Sequence, residues 1–85
     1  MKPVEIYTAW LCGYCHAAKR LLTNKGVQFT EHDVALNHGN GQEMMKRPNR
    51  SQTVPQIFVG ATHVGGFAEL ADLDRSGKLE TLLAA

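Results

Sequence analysis

The residues best suited to chemistry are Cys12 and Cys15, the only two cysteines of the chain, in the stretch CGYC. A cysteine reacts as its thiolate, and a sulfur at the mouth of a helix faces unpaired backbone N–H groups and the positive end of the macrodipole. The spacing places Cys12 at such a cap, with Gly13 in the first turn, so the Cys12 anion is favoured. Cys15 lies one turn deeper on the same face, within reach of a mixed disulfide formed at Cys12. Cys12 therefore attacks and Cys15 resolves. A CxxC pair is also half of a zinc site, and His16, His32, His38 and His63 are ligands by type. None of the four supplies a second local ligand pair, whereas a CxxC opening a helix after a strand reads as a thiol redox site. A structural disulfide is a poor reading, because the loop it closes is too short to restrain much of the unfolded chain.

The elements that must hold this pair are legible around it. Val4 to Ala9 has the β-branched and aromatic content of a buried strand, with Pro3 at its edge. From Tyr14 onward Cys15, Ala18, Leu21 and Leu22 recur at helical spacing, and Gly26 stands where a left-handed cap ends a helix. Residues 27–34, VQFTEHDV, read as a second strand, parallel to the first through a right-handed crossover. NHGNGQ is expected as loop, and QEMMKR as a short helix stopped by Pro48 and Asn49. TVPQIFVGATHVGG predicts a β-hairpin turning at Gly60-Ala61. Phe67, Leu70, Leu73, Leu79, Leu82 and Leu83 then predict a helix, a break near Gly77 and a terminal helical turn. The order is βαβ, α, ββ, α, an α/β fold with a four-stranded mixed sheet flanked by helices.

The totals bound what such a fold can do. The 85 residues form a single domain, 1–85, with one modest core. Nine basic and eight acidic side chains give a formal net charge of +1, so no overall field draws the chain to nucleic acid or a membrane surface. No apolar run is long enough for a membrane span, and the start lacks the apolar stretch of a secretory signal. The chain as given reads as intracellular.

With VEIYT before the cysteines, CGYC followed by HAAKRLL, then TVPQIF and Gly65-Gly66, the sequence resembles the glutaredoxins, specifically the small dithiol bacterial type. The resemblance spans essentially the whole chain. It implies a thioredoxin fold and a cytoplasmic, glutathione-dependent thiol–disulfide oxidoreductase acting on protein disulfides and protein–glutathione mixed disulfides. It also implies a potential of roughly −200 to −230 mV, near the glutathione couple. Glutathione is then the co-substrate and is recycled by glutathione reductase. Pro55 is expected to be cis, exposing the Val54 backbone for pairing with the tripeptide in a miniature strand addition. Tyr14 closes one wall of the groove, Thr53 assists Val54, and the N–H groups of Phe67 and Ala68 after Gly65-Gly66 receive the γ-glutamyl carboxylate.

Three departures from the family pattern carry expectations of their own. Many members place a lysine shortly before the first cysteine, where this chain has Ala9 and Trp10, so Arg50 and Gln52 are the candidate partners for the glycyl carboxylate. Ala68 replaces the first of two acids, leaving Glu69 for the ligand ammonium. Gly13 replaces a proline, restoring an N–H that could donate to the Cys12 anion. Dithiol members without that proline sometimes hold a 2Fe-2S cluster across a dimer with glutathione, so Cys12 as a cluster ligand is the alternative activity. The chain is otherwise expected to be a monomer. Lys19 either adds positive field near the sulfurs or is an ordinary solvated lysine.

Overall fold

The computed structural model describes residues 1–47 and 53–84. Along the chain run β1 (Val4–Thr8), α1 (Gly13–Asn24), β2 (Thr30–Asp33), α2 (His38–Lys46), β3 (Gln56–Val59), β4 (Thr62–Gly65), α3 (Phe67–Arg75) and α4 (Lys78–Leu83). The strands form one sheet in the order β2-β1-β3-β4. β1 pairs with β2 in parallel, as a crossover through α1 requires, and β1–β3 and β3–β4 are antiparallel.

The two-residue period of the strands gives the sheet two different faces. Val4 and Ile6 of β1 and Ile57 and Val59 of β3 turn toward Ala18 and Leu22 of α1, Leu70 of α3, and Leu79 and Leu83 of α4, forming the main core. Glu5, Tyr7, Gln56 and Phe58 alternate with them onto the opposite face, where Met44 of α2 packs against Tyr7 and Phe58. That second face is aromatic and polar. Tyr7 donates to Glu43 at 2.6 Å, Glu5 bridges His32 and Arg47, and the Arg47 guanidinium lies 3.7 Å from the centre of the Phe58 ring.

The structure departs from expectation at three places. The loop expected at NHGNGQ is instead the first half of α2, which starts at His38 because the Asn37 side chain accepts the Gly39 N–H at 2.9 Å. Asp33 gathers the N–H groups of Ala35 and Leu36 just before it, so the turn into the helix is already built. Second, β2 begins at Thr30 rather than Val27. Gly26 ends α1 with φ +73°, and the Val27 N–H turns back to Leu22 O at 2.9 Å, so it cannot join the ladder. Third, Ala9 falls outside β1, its carbonyl taken by the Cys12 N–H at 3.0 Å in the turn that opens α1.

Candidate active site

The C-terminal end of β1 delivers the chain into that turn, which sets Cys12 as the N-cap of α1 in extended conformation. Its sulfur accepts the Cys15 N–H at 3.1 Å, the bond a capping side chain makes to the third residue of a helix. The first turn contains no acidic side chain to offset the helix dipole. The expected donor differs in identity: the N–H at the sulfur is that of Cys15 rather than Gly13. Across the cleft the Cys12 sulfur lies 3.7 Å from the Val54 carbonyl oxygen, and the Val54–Pro55 peptide is cis.

The two sulfurs occupy different surroundings. Both are free thiols, Cys12 half-buried and Cys15 fully enclosed. Burial, reinforced by the hydrogen-bonding and charge of Cys12, pushes the Cys15 thiol up to about 12. Cys15 thus keeps its proton at neutral pH. Lys19, one turn on, pairs with Glu31 at 2.9 Å, where Thr8 also donates at 2.7 Å, and its charge still opposes the rise of the Cys15 thiol as the smallest of the influences on it. These two hydrogen bonds hold the Glu31 carboxyl below its ordinary range.

A groove of about 310 Å³ is lined by Val54, whose carbonyl oxygen lies 3.7 Å from the Cys12 sulfur. Its walls bring together Tyr14 from α1, Thr53, Val54 and Pro55 from the segment before β3, and Gly66, Phe67, Ala68 and Glu69 from the start of α3. The Tyr14 ring is exposed and lies 6.1 Å from Phe67 in a stacked arrangement, so the two aromatics form one continuous wall. A larger cleft of about 790 Å³ runs between β4 and α3–α4, and its lining includes neither α1 nor the Thr53–Pro55 segment that faces Cys12. Arg50 and Gln52 lie outside the described residues.

Gly65 and Gly66 serve α3 in distinct ways. Gly65 is buried with φ +117°, a conformation side chains rarely adopt, and a Cβ there would sit 2.8 Å from Glu69 Oε1. Gly66 is the N-cap, and its N–H donates to Glu69 Oε1 at 2.7 Å. Glu69 therefore has a structural duty that its assignment to a ligand ammonium left out, and the signal was present in the Gly-x-x-Glu spacing before an apolar run. The N–H groups of Phe67 and Ala68 have no intrahelical partner by helix geometry and open onto the groove. Gln56, at the floor of the groove, was missed because glutamine in a strand reads as solvent-facing.

The sequence model of the glutaredoxin family matches residues 4–64. The chain belongs to the glutaredoxins. Glutaredoxin 3 of Escherichia coli (strain K12) is 51% identical over 83 residues, covering 98% of this chain and 99% of the relative. Among solved structures, the glutaredoxin of Brucella melitensis superposes with a TM-score of 0.81 at 46% identity, covering 98% of this chain and 89% of the other. A buckwheat glutaredoxin–glutathione complex superposes with a TM-score of 0.85 at 25% identity, covering 96% and 76%. This glutaredoxin thus has the thioredoxin fold and belongs to a family of glutathione-dependent thiol–disulfide oxidoreductases. No helix among its described residues is long and apolar enough to cross a membrane.

Proposed function

We propose that this glutaredoxin reduces protein–glutathione mixed disulfides, with the Cys12 thiolate attacking the glutathione sulfur and the protein leaving as a free thiol. The reading rests on one observation: the Cys12 sulfur caps α1 through the Cys15 N–H and faces Val54 across an open groove. The Cys12–glutathione disulfide is then cleared by a second glutathione, releasing oxidised glutathione and regenerating the Cys12 thiolate, or by Cys15 after loss of its proton. Two electrons pass from thiol to disulfide in each exchange. The second-glutathione route releases oxidised glutathione directly, whereas the Cys15 route releases reduced glutathione and leaves a Cys12–Cys15 disulfide that two further glutathiones reduce; the oxidised glutathione so formed is returned to the reduced pool by a reductase of the glutathione reductase type.

The same groove supplies the recognition. Strand-like pairing with the Val54 backbone aligns the tripeptide, the first N–H groups of α3 at Phe67 and Ala68 donate to its γ-glutamyl carboxylate, and the Tyr14–Phe67 wall covers its thioether. Glu69 offers its second oxygen to the ammonium while the first caps Gly66. Arg50 and Gln52 are assigned to the glycyl carboxylate. A cytoplasmic, monomeric enzyme fits a dithiol that must be kept reduced. Carriage of a 2Fe-2S cluster by Cys12 in a dimer is the weaker reading, since the family relation supports exchange chemistry.

The test compares Cys12→Ser and Cys15→Ser on a glutathionylated peptide in a glutathione-coupled assay. The expected result is complete loss for Cys12→Ser and retained turnover for Cys15→Ser. Retention by Cys12→Ser, or equal loss in both, overturns the assignment of roles.

A further inference from the structure

On the second face of the sheet a chain of side-chain hydrogen bonds runs from the edge strand to the groove. His63 of β4 stands opposite Phe58 in register, and its ring packs 4.8 Å from the Phe58 ring, which fixes its plane. Its Nε2 lies 2.5 Å from Gln56 Oε1. The other end of that buried amide, Nε2, donates to Thr53 Oγ1 at 3.2 Å. Thr53 is exposed and lines the groove beside Val54.

The chain has a direction. Gln56 Oε1 has only lone pairs, so His63 must carry its proton on Nε2 and donate. With Oε1 held, the amide presents its NH2 to Thr53, whose oxygen becomes the acceptor. The threonine hydroxyl proton is then free to point outward, into the groove. If the amide turned over, Oε1 would take the hydroxyl proton and Thr53 would have none for a ligand. Burial, with Arg47 as the nearby cation, pushes the His63 imidazole down, so at neutral pH the ring is neutral with a single N–H to commit.

We propose that His63 is a positioning residue for the glutathionyl group: acting through Gln56, it sets Thr53 as a hydrogen-bond donor to an acceptor oxygen of the bound tripeptide. This rests on the groove reading above. His63 lies behind Gln56 and makes its contribution entirely through the polarity of the Gln56 amide.

The test is steady-state kinetics on a glutathionylated peptide, with thermal unfolding measured on every variant. His63→Leu removes the donor and should raise KM about 5- to 15-fold, the effect of one hydrogen bond to a charged or polar ligand group, with kcat within about twofold. His63→Gln restores an N–H donor and should return KM to within about twofold of wild type. His63→Glu, an acceptor only, should reproduce the KM defect or exceed it. In a Thr53→Val background, His63→Leu should raise KM no further, because the hydroxyl through which it acts is gone. A KM unchanged in His63→Leu, a defect in His63→Gln equal to that of leucine, or full additivity with Thr53→Val overturns the proposal. A wild type that handles glutathionylated and cysteinylated peptides alike overturns the groove reading and this proposal together. Wild-type preference with an unchanged His63→Leu overturns this proposal alone.

Discussion

Gly65→Ala is the substitution whose effect the geometry specifies most closely. The residue has φ +117°, and an added Cβ would meet Glu69 Oε1 at 2.8 Å, Cγ at 3.0 Å and Cβ at 3.3 Å. Holding a side-chain-bearing residue in this backbone region costs about 1–3 kcal/mol. The contacts to Cγ and Cβ cannot be relieved by swinging the carboxylate alone, so the Glu69 side chain must move as a whole. Its bond to the Gly66 N–H, 2.7 Å in length, is then lost, at about 0.5–2 kcal/mol for a helix cap. Together these give roughly 1.5–5 kcal/mol, a large share of the stability of a small domain. In a chain of this size that is a fall in Tm of roughly 6–40 °C.

The neighbouring glycine supplies the control. Gly66 has φ −92°, and a Cβ there would come no closer than 3.3 Å to the mobile end of Glu69 and 3.6 Å to Pro55 O. Gly66→Ala should therefore cost about 1 kcal/mol or less, the difference between glycine and alanine at an N-cap. Thermal unfolding followed by far-ultraviolet circular dichroism measures both, together with Glu69→Ala and the Gly65→Ala/Glu69→Ala double variant. Removing Glu69 takes away the steric part of the penalty, so the double variant should be less destabilised than the sum of the singles. Equal Tm values for the two glycine variants, or strict additivity with Glu69→Ala, would refute the reasoning.

Three further predictions concern protonation and burial. Because Cys15 is raised from an ordinary value near 9 to about 12, the folded protein holds a proton that the unfolded chain releases in that interval. Stability should decline as pH climbs from about 9 toward 12, and Cys15→Ser should flatten that decline in urea titrations. By the same burial, iodoacetamide at neutral pH should label Cys12 alone in the folded protein and both sulfurs only in denaturant. At the acid end, burial draws Glu5 upward but hydrogen bonds from His32 and Arg47 outweigh it, and Lys19 and Thr8 lower Glu31. Both folded values lie below the ordinary one, so stability present above about pH 4.5 should be lost as pH falls through them. The Glu5→Gln/Glu31→Gln double variant should show a shallower acid transition; an identical transition would remove these pairs from the account.

Where local chemistry and tertiary packing agree, the sequence was readable. The cap at Cys12, the helix stop at Gly26 and the hairpin around Gly60-Ala61 each follow from the residue that makes them, and the structure has all three. α2 was half hidden because Gly39 and Gly41 each lower helix propensity by about 1 kcal/mol. The Asn37 cap and the burial of Met44 under the sheet outweigh them, and that burial depends on a strand pairing distant in sequence. The relay through Gln56 was hidden for the same reason. Only when β3 lies between β1 and β4 does the face carrying Tyr7, Gln56 and Phe58 become an interior, and only then must the amide of Gln56 find partners at both ends.

The same dependence on placement explains why two identical side chains three residues apart do different work. A spacing of three puts the first sulfur outside the helical turn, where it accepts an N–H and meets the groove, and the second inside it, under the packed face of α1. Enclosure raises the proton affinity of Cys15, and on the roles proposed above it withholds that nucleophile while Cys12 attacks. In the proposed reaction a Cys12–glutathione disulfide is therefore exposed first to thiolates from solution, and a second glutathione competes with a neighbour that must first lose its proton. The burial that makes Cys15 a slow nucleophile is thus what leaves room for glutathione to complete the exchange. On this account, moving Cys15 toward solvent, not adding charge near Cys12, is the change that would shift the enzyme toward the internal disulfide.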